Sequence, residues 1–304
     1  MFVEVDFESQ HARLSGRLYR PEGDGPFPVV VMTHGTSATI TMTTDRFAEV
    51  FHKAGFAVLL YDHRNFGSSG GEPRQEINPW VQARGYCDAM TYLQQVDDID
   101  SGAMVLWGDS YSAAEVIVVG AVDDRPAGVI SQVPAIGLNL PPADPDGALF
   151  GDLRATLLHG SVAGGPDETT GPLPVVSADQ MGSPSLLTPI QAFRWFIDYG
   201  GRHGTGWENR VTRVVPDTPA PFHAGIAAPH LSCPFLMMVA PEDEMAGANP
   251  TVSRAVFESV PAEKELVEVA GGHFGLLHHP SELFDQASSI QADFLVRTRN
   301  RSHD

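Results

Sequence analysis

Short apolar runs alternate with helical patterns along most of this chain, and this alternation constrains the fold more than any other feature. Residues 29–33, 57–61 and 235–239 are continuous apolar runs bounded by turn residues, which is typical of strands buried on both faces of a parallel sheet. Helical patterns at residues 44–54 and 110–122 lie between such runs. Repeated strand–helix–strand units predict an α/β fold, with a mostly parallel central sheet and helices on both of its faces.

The remaining elements follow the same order until the middle of the chain. Further strands are predicted at residues 2–7, 12–19, 103–107, 129–133 and 266–269, and further helices at 79–95, 189–199 and 281–298. Residues 138–229 interrupt the alternation, are rich in Pro, Gly and Asp, and are too long for a plain loop. We therefore expect residues 138–229 to form a cap, or lid, inserted into an α/β core made of residues 1–137 and 230–304.

The composition excludes several classes of partner. The 304 residues are 42% hydrophobic and 19% charged, which allows a sizeable core without disulfides or metals. A net charge of −19 repels nucleic-acid phosphates and anionic lipids. The chain has no apolar run of membrane-spanning length, and its first residues lack the basic and apolar regions of a signal peptide. We expect a cytoplasmic protein with no nucleic-acid or membrane partner; the oligomeric state stays open, with a homodimer as one alternative.

Cysteine and histidine spacing does not indicate a metal site. Cys87 and Cys233 lack any CxxC or Cys/His spacing, and we expect both to be buried thiols. His278 and His279 are adjacent, but no carboxylate stands at a ligand spacing from them, so a solvated loop is expected there.

A strand-to-helix turn carries the clearest chemical signal. Residues 107–112, Trp-Gly-Asp-Ser-Tyr-Ser, follow one predicted strand and open the next predicted helix. In a nucleophile elbow this turn lifts one side chain above the sheet, and the residues two positions before and after it must be small. Gly108 and Ser112 meet this requirement around Ser110. The same frame centred on Asp109 would be flanked by bulky aromatic residues, so Ser110 is the expected nucleophile.

A serine hydroxyl is a weak nucleophile at neutral pH and needs a base. His273 lies in a Gly-Gly-His-Phe-Gly segment just after the last predicted strand, where a loop can reach back over the sheet. We expect His273 to be that base.

The base in turn needs an acid to orient it. Asp243 follows the strand 235–239 and completes the chain order Ser…Asp…His. We expect Asp243 to be this acid and its neighbours Glu242 and Glu244 to be solvated. Asp144 and Asp146, at the start of the insertion, are weaker alternatives.

Two backbone N–H groups are expected to form an oxyanion hole, which binds the negative oxygen of a tetrahedral intermediate. One is that of Tyr111, directly after Ser110, and the other that of Thr36, in the loop after strand 29–33. The side chain of His34 is expected to be structural.

The loop that follows strand 57–61 contains a second Asp-His pair. Asp62 and His63 are adjacent in sequence, so their side chains should diverge rather than act together. We expect Asp62 and Arg64 to fix the backbone geometry of this loop.

Together these motifs resemble a known family. They are His34-Gly35, Asp62-x-Arg64-x-x-Gly67-x-Ser69, Gly108-x-Ser110-Tyr111-Ser112, Pro241-Glu242-Asp243 and Gly272-His273-Phe274. They are similar to those of bacterial α/β-hydrolases, the acetyl-xylan-esterase-like and dienelactone-hydrolase-like serine hydrolases. The Ser-Tyr pair also resembles that of X-Pro dipeptidyl-peptidase and cocaine-esterase relatives. The resemblance covers residues 1–137 and 230–300 and leaves out the insertion.

The resemblance implies an α/β-hydrolase fold and a two-step acyl transfer without a cofactor. Ser110 would attack a carbonyl while His273 takes its proton, and the same histidine would then activate water. Ser112 replaces the usual glycine, and Ala113 follows it. These departures could narrow the elbow or favour acyl transfer to a nucleophile other than water.

The insertion bears on the substrate. We expect part of its aromatic set, Phe193, Trp195, Phe196 and Tyr199, to line a mostly apolar acyl pocket. An equally weighted alternative is that these residues only dock the cap. The leading function is hydrolysis of a small-molecule carboxylic ester or thioester. An amidase, exopeptidase or acyltransferase with the same three residues remains an alternative, as does a hydrolase-shaped binding protein with an inactive site.

Overall fold

The computed structural model describes residues 1–160, 162 and 166–301, and an eight-stranded sheet forms its centre. The strands are β1 (Phe2–Ser9), β2 (Ala12–Tyr19), β3 (Phe27–Met32), β4 (Ala57–Tyr61), β5 (Glu76–Ile77), β6 (Ile99–Asp109), β7 (Pro126–Gln132), β8 (Pro166–Leu173), β9 (Val211–Pro216), β10 (Phe235–Val239) and β11 (Lys264–Glu268). The central sheet has the order β1-β2-β4-β3-β6-β7-β10-β11. Strand β2 is antiparallel to both of its neighbours, and the other pairs are parallel. The predicted α/β class with a mostly parallel sheet is confirmed.

The helices lie between these strands. They are α1 (Thr44–Lys53), α2 (Pro79–Leu93), α3 (Ser110–Val122), α4 (Ala148–His159), α5 (Ile190–Gly200), α6 (Ala224–Ala227), α7 (Pro250–Ser259), α8 (Gly272–Gly275) and α9 (Glu282–Arg301). Asn78 and Asn249 cap α2 and α7 with their side chains, and a proline follows each at the first helical position. Within the described part of the chain, no helix combines the length and apolar character needed to cross a membrane.

Alternate side chains of the buried strands face two separate hydrophobic cores. In β3, Val29 and Val31 belong to a core shared with α2 and α3, whereas Val30 and Met32 belong to one shared with α1 and α9. Because both faces of the sheet are covered, its inner strands appear in the sequence as continuous apolar runs. The loops at the carboxyl ends of β3, β6, β10 and β11 carry the candidate functional residues.

The range 138–229 holds α4, β8, α5, β9 and α6, and its residues 161 and 163–165 lie outside the described residues. Strands β8 and β9 form a second sheet, of order β5-β9-β8, with β5, which lies much earlier in the chain. Helix α4 and these three strands were not predicted. Strand β5 has only two residues, and β8 is rich in Pro, Gly and Asp, so neither shows an apolar period.

Two predicted boundaries differ near the end of the chain. Strand β11 is Lys264–Glu268 rather than 266–269, because it is the edge strand and exposes part of its length. His273 lies in the short helix α8 rather than in a plain loop.

Candidate active site

Ser110 stands at the junction of β6 and α3 in a conformation that few non-glycine residues adopt. Its φ is +55°, in the left-handed region, as a sharp strand-to-helix turn requires. The buried hydroxyl of Ser112 donates to the carbonyl of Asp109 at 2.9 Å and accepts from its N–H at 3.1 Å. A Cβ on Gly108 would lie 2.4 Å from the Ser112 carbonyl oxygen. Gly108 and Ser112, the two small residues that flank Ser110, therefore allow and hold this turn.

The imidazole of His273 lies between Ser110 and Asp243. Its Nδ1 is 2.8 Å from Asp243 Oδ2, and its Nε2 is 2.8 Å from Ser110 Oγ. An ionised carboxylate only accepts hydrogen bonds, so Nδ1 carries the proton and Nε2 accepts from the serine hydroxyl. The side chains of His273 and Asp243 are each only 2% exposed. Ser110 of α3 and Asp243 of the loop after β10, which lie 163 and 30 positions from His273 in the sequence, thus converge on one ring.

A neighbouring acid holds the backbone of the same histidine. The carboxylate of Glu244 accepts a hydrogen bond from the His273 N–H at 2.7 Å, while Oδ1 of Asp243 accepts from the Met245 N–H at 2.8 Å. The expectation that Glu244 is a solvated neighbour is therefore wrong, because its side chain folds back onto α8. Glu242 is exposed, as expected.

The alternative acid Asp144 has a different partner. Its carboxylate accepts hydrogen bonds from the N–H groups of Leu149 and Phe150, at 3.0 and 2.9 Å, and so caps the start of α4. The structure brings Asp243, and not Asp144, to the imidazole.

The loop after β3 approaches the elbow very closely. A Cβ on Gly35 would lie 2.9 Å from the Asp109 carbonyl oxygen and 3.0 Å from Ser110 Cβ, so only glycine fits there without a shift. Thr36 and Tyr111 both line the cavity that contains Ser110. The loop thus brings the backbone of Thr36 close to the elbow. The Thr36 N–H is the group expected from the sequence to be the second oxyanion donor.

Buried polar side chains fix this loop from below. His34 Nδ1 donates to the Gly35 carbonyl at 2.8 Å, and burial lowers the pKa of His34 to about 4, so its ring is neutral. The Asp62 carboxylate accepts from the N–H groups of Ile40 and Ser68, at 3.0 and 2.9 Å. These contacts bear out the structural roles expected for His34 and Asp62.

The rest of the Asp-His-Arg loop differs from expectation in one respect. His63 diverges from Asp62, as expected, and its Nε2 lies 3.4 Å from the buried carboxyl of Glu115. Burial lowers the pKa of His63 and raises that of Glu115, so it favours the neutral form of each group. The guanidinium that binds loop carbonyls, those of Gly67 and Ser69, belongs to Arg74 rather than to Arg64.

Asp109, the rejected nucleophile, is buried beneath the elbow. Its side chain is turned toward Gly35, and burial raises its pKa to about 6, an effect that the charge of His273 partly offsets. Neither cysteine is suited to act as a nucleophile, because burial raises the pKa of the Cys87 and Cys233 thiols to about 12 and so disfavours the reactive thiolate. Among the described residues, no three His, Cys, Asp or Glu side chains form a group able to hold a metal ion.

The sequence matches the family model of the X-Pro dipeptidyl-peptidase (S15 family) over residues 10–139. Quorum-quenching protein AidA of Acinetobacter baumannii (strain MDR-ZJ06) is 29% identical over 319 residues, covering 97% of this chain and 94% of that protein. Thiohydrolase aneE of Aspergillus aculeatus is 43% identical over 136 residues, covering 44% of this chain and 42% of that protein.

The crystal structure of the α/β hydrolase GrgF from Penicillium sp. sh18 superposes with a TM-score of 0.70 at 22% identity, covering 98% of this chain and 99% of that one. A likeness at this identity shows the fold, and the fold here carries the serine elbow described above. The chain has the α/β-hydrolase fold and is an enzyme of the serine hydrolase type.

A cavity of about 520 Å³ opens over Ser110 in this hydrolase. Trp195 and Phe196 of α5, two of the four aromatic residues singled out in the sequence, line it. Phe193 and Tyr199 are not part of the lining, which corrects the expectation for these two residues. Tyr199 accepts a hydrogen bond from the His279 N–H at 2.8 Å and stacks on Trp195, so it docks α5 on the core. Of the aromatic set, Trp195 and Phe196 thus line the cavity, whereas Tyr199 docks α5 on the core.

Proposed function

We propose that this hydrolase cleaves a small-molecule carboxylic ester or thioester through an acyl-enzyme formed on Ser110. In this proposal His273 is the general base and Asp243 the acid that orients it. The observation that carries the proposal is the position of the His273 ring, with one nitrogen 2.8 Å from Asp243 Oδ2 and the other 2.8 Å from Ser110 Oγ. A base must lie within hydrogen-bond reach of the proton that it removes, and this ring does.

The first step forms a bond between Ser110 Oγ and the carbonyl carbon of the substrate. His273 Nε2 takes the serine proton as the bond forms, and Asp243 stabilises the resulting imidazolium. The imidazolium then gives that proton to the departing alkoxide or thiolate. In the second step His273 removes a proton from water, the hydroxide attacks the acyl carbon, and Ser110 recovers its proton as the acid leaves.

The tetrahedral intermediates of both steps carry a negative oxygen. We propose that the backbone N–H groups of Tyr111 and Thr36 bind it. The close approach of Gly35 to Ser110 Cβ, 3.0 Å for a built Cβ, supports this assignment because it fixes the loop against the elbow. Loss of one such donor costs about 10²–10³-fold in turnover.

The insertion supplies the roof of the cavity in this proposal, with residues 138–229 as a cap on a core of residues 1–137 and 230–304. Leu186, Leu187, Trp195 and Phe196 of that range line the cavity with mostly apolar surface. Apolar walls suit the hydrocarbon part of an acyl group. The thioester alternative draws on aneE, a relative named as a thiohydrolase.

The protein is located in the cytoplasm in this proposal. Cys87 and Cys233 are free thiols, which fits a reducing compartment.

A panel of matched substrates tests the function. p-Nitrophenyl esters of increasing acyl length, an acyl thioester and an acyl anilide would be offered to the protein and to Ser110→Ala. We expect turnover of the ester or thioester that depends on acyl length and disappears in Ser110→Ala. Turnover of the anilide alone would replace the proposal with an amidase, and ester turnover that survives in Ser110→Ala would contradict it.

A further inference from the structure

One cationic side chain faces the cavity above Ser110. Arg213 of β9 lines this cavity, whose walls are otherwise largely apolar. The one carboxylate of the lining, Asp109, is 5% exposed and lies beneath the elbow against Gly35. His223 also lines the cavity, but burial lowers its pKa, and its Nε2 lies 3.1 Å from the Asn139 carbonyl oxygen. Over the part of the chain that the structure describes, the cavity lining is therefore largely apolar and holds one guanidinium.

Arg213 differs from nearby arginines because no described side chain is its acidic partner. Arg202 pairs with Asp198 at 3.1 Å, and Arg210 pairs with Glu208 at 3.4 Å. Among the side chains that the structure describes, which leave out those of residues 163–168, no carboxylate lies within 4.0 Å of the Arg213 guanidinium. Because Arg213 is exposed, its charge is hydrated in the free protein and open to a ligand. A cation that faces a cavity and has no acidic partner among the described side chains is notable in a chain whose net charge is −19.

The backbone holds Arg213 at a fixed place relative to Ser110. In the small sheet, Arg213 is paired with Ile77 of β5 on one side and with Thr170 of β8 on the other. Burial raises the pKa of the Tyr111 hydroxyl, and the guanidinium of Arg213 beside that hydroxyl offsets part of the rise. Since Tyr111 follows Ser110 directly, the cation lies one tyrosine side chain away from the serine.

We propose that Arg213 binds an anionic group of the substrate, a carboxylate or phosphate carried at the far end of the acyl chain. A guanidinium matches the planar geometry of a carboxylate and forms charge-assisted hydrogen bonds with it. The apolar wall between Ser110 and Arg213 takes the hydrocarbon that separates the scissile carbonyl from the anion. The inference rests on the proposed function, and it names the substrate class as acyl groups with a negatively charged end.

Two substrates of equal length isolate the effect of the charge. They are p-nitrophenyl hexanoate and the mono-p-nitrophenyl ester of adipic acid, which differ in the terminal carboxylate. A third ester with a terminal phosphonate separates carboxylate from phosphate recognition. The measured quantity is the ratio of kcat/KM for the anionic ester to that for hexanoate, in the protein and in Arg213→Ala, Arg213→Lys and Arg213→Glu. Arg210→Ala is the matched control, because this paired arginine lies outside the cavity lining.

We expect the protein to prefer the anionic ester and Arg213→Ala to lower the ratio by about 10- to 100-fold, the usual effect of hydrogen bonds to a charged group. Arg213→Lys should keep part of the preference, and added salt should weaken it. Arg213→Glu should reverse it and favour the ester of 6-aminohexanoic acid, a result that a merely structural arginine would not give. Arg210→Ala should leave the ratio unchanged.

If the ratio of the two kcat/KM values is the same in the protein and in Arg213→Ala, the inference is overturned. The proposed function is not affected, because Ser110 still hydrolyses the hexanoate ester. A binding measurement tests the role of Arg213 without depending on turnover. Calorimetry should detect binding of monomethyl adipate to Ser110→Ala and not to the double variant Ser110→Ala, Arg213→Ala. Equal binding to both would overturn the inference, whereas absence of ester turnover together with this difference in binding would overturn only the proposed function.

Discussion

The carboxylate of Glu244 accepts a hydrogen bond from the backbone N–H of His273 at 2.7 Å. The adjacent residue, Asp243, binds the ring of the same histidine at Nδ1. Two consecutive acids of one loop therefore hold both the main chain and the imidazole of His273. The first contact sets where helix α8 begins, and the second sets how the ring turns.

Removal of the Glu244 carboxylate should reduce turnover without removing any group that touches the substrate. A hydrogen bond to a charged group is worth about 1.5–3 kcal/mol, so Glu244→Ala should lower kcat by about 10- to 100-fold. Glu244→Gln keeps an acceptor oxygen and should retain much of the activity. Steady-state kinetics with a p-nitrophenyl ester would measure both, and Glu242→Ala, which changes an exposed neighbour, is the control. Equal kinetics for Glu244→Ala and Glu242→Ala would show that the contact does not position His273.

Replacement of Asp243 by asparagine should have a much larger effect. An amide can donate to Nδ1 and so favours the wrong tautomer of His273, in which Nε2 carries the proton and cannot accept from Ser110 Oγ. We expect kcat to fall by about 10⁴-fold, as for the orienting aspartate of other Ser-His-Asp enzymes. Ester hydrolysis would measure it, with circular dichroism to verify the fold. A loss of less than tenfold would transfer the orienting role to another acid.

Addition of one methyl group at Gly35 should disable the proposed oxyanion hole. The new Cβ would lie 2.9 Å from the Asp109 carbonyl oxygen and 3.0 Å from Ser110 Cβ, so the loop that carries Thr36 must move away. Gly35→Ala should lower kcat by about 10²–10³-fold, the usual effect of a lost oxyanion donor. In Gly151→Ala, by contrast, the new Cβ meets no atom within 4 Å on helix α4. This control should keep full activity and gain about 0.5–1 kcal/mol of stability.

The buried ring of His34 should make stability depend on pH. Its folded-state pKa is lowered from 6.5 to about 4, so the unfolded chain binds a proton below pH 6.5 while the native state does not. The stability that neutral His34 contributes is therefore complete above pH 6.5 and is lost as the pH falls toward 4. Gln can replace both ring hydrogen bonds but does not titrate. The free-energy cost of His34→Gln, measured by urea unfolding, should be smaller at pH 5 than at pH 7 by about 2 kcal/mol. An equal cost at both pH values would contradict the shift.

The sequence predicted the inner strands of the central sheet well, because they are buried on both faces. The run 57–61 is apolar at every position, and the structure buries all five residues of β4. The small sheet could not be predicted in the same way. Strand β5 has two residues, and β9 is an alternating segment inside a stretch rich in Pro and Asp. The pairing of β9 with β5 joins segments far apart in the chain, and the periodicity of residues within one segment cannot predict such a pairing.

Within the candidate site, residue type and chain order were enough to select Ser110, Asp243 and His273, because this chemistry needs few side-chain types in one order. Glu244 and Arg213 were missed for different reasons. Glu244 was one of three acids in a loop, and only coordinates show that it binds a backbone N–H. Arg213 lies in the range 138–229, which no motif covers, and the strand pairing of β9 brings it to the cavity.

The central claim is that the hydroxyl of Ser110 is activated by His273, and a fluorophosphonate probe tests it most directly. Intact mass and peptide mapping should show one adduct, on Ser110. Ser110→Ala should take up no probe, and His273→Gln should react far more slowly, with both variants folded by circular dichroism. An adduct that forms on Ser110→Ala at the rate of the unaltered protein, or an unaltered protein that does not react, would contradict the account.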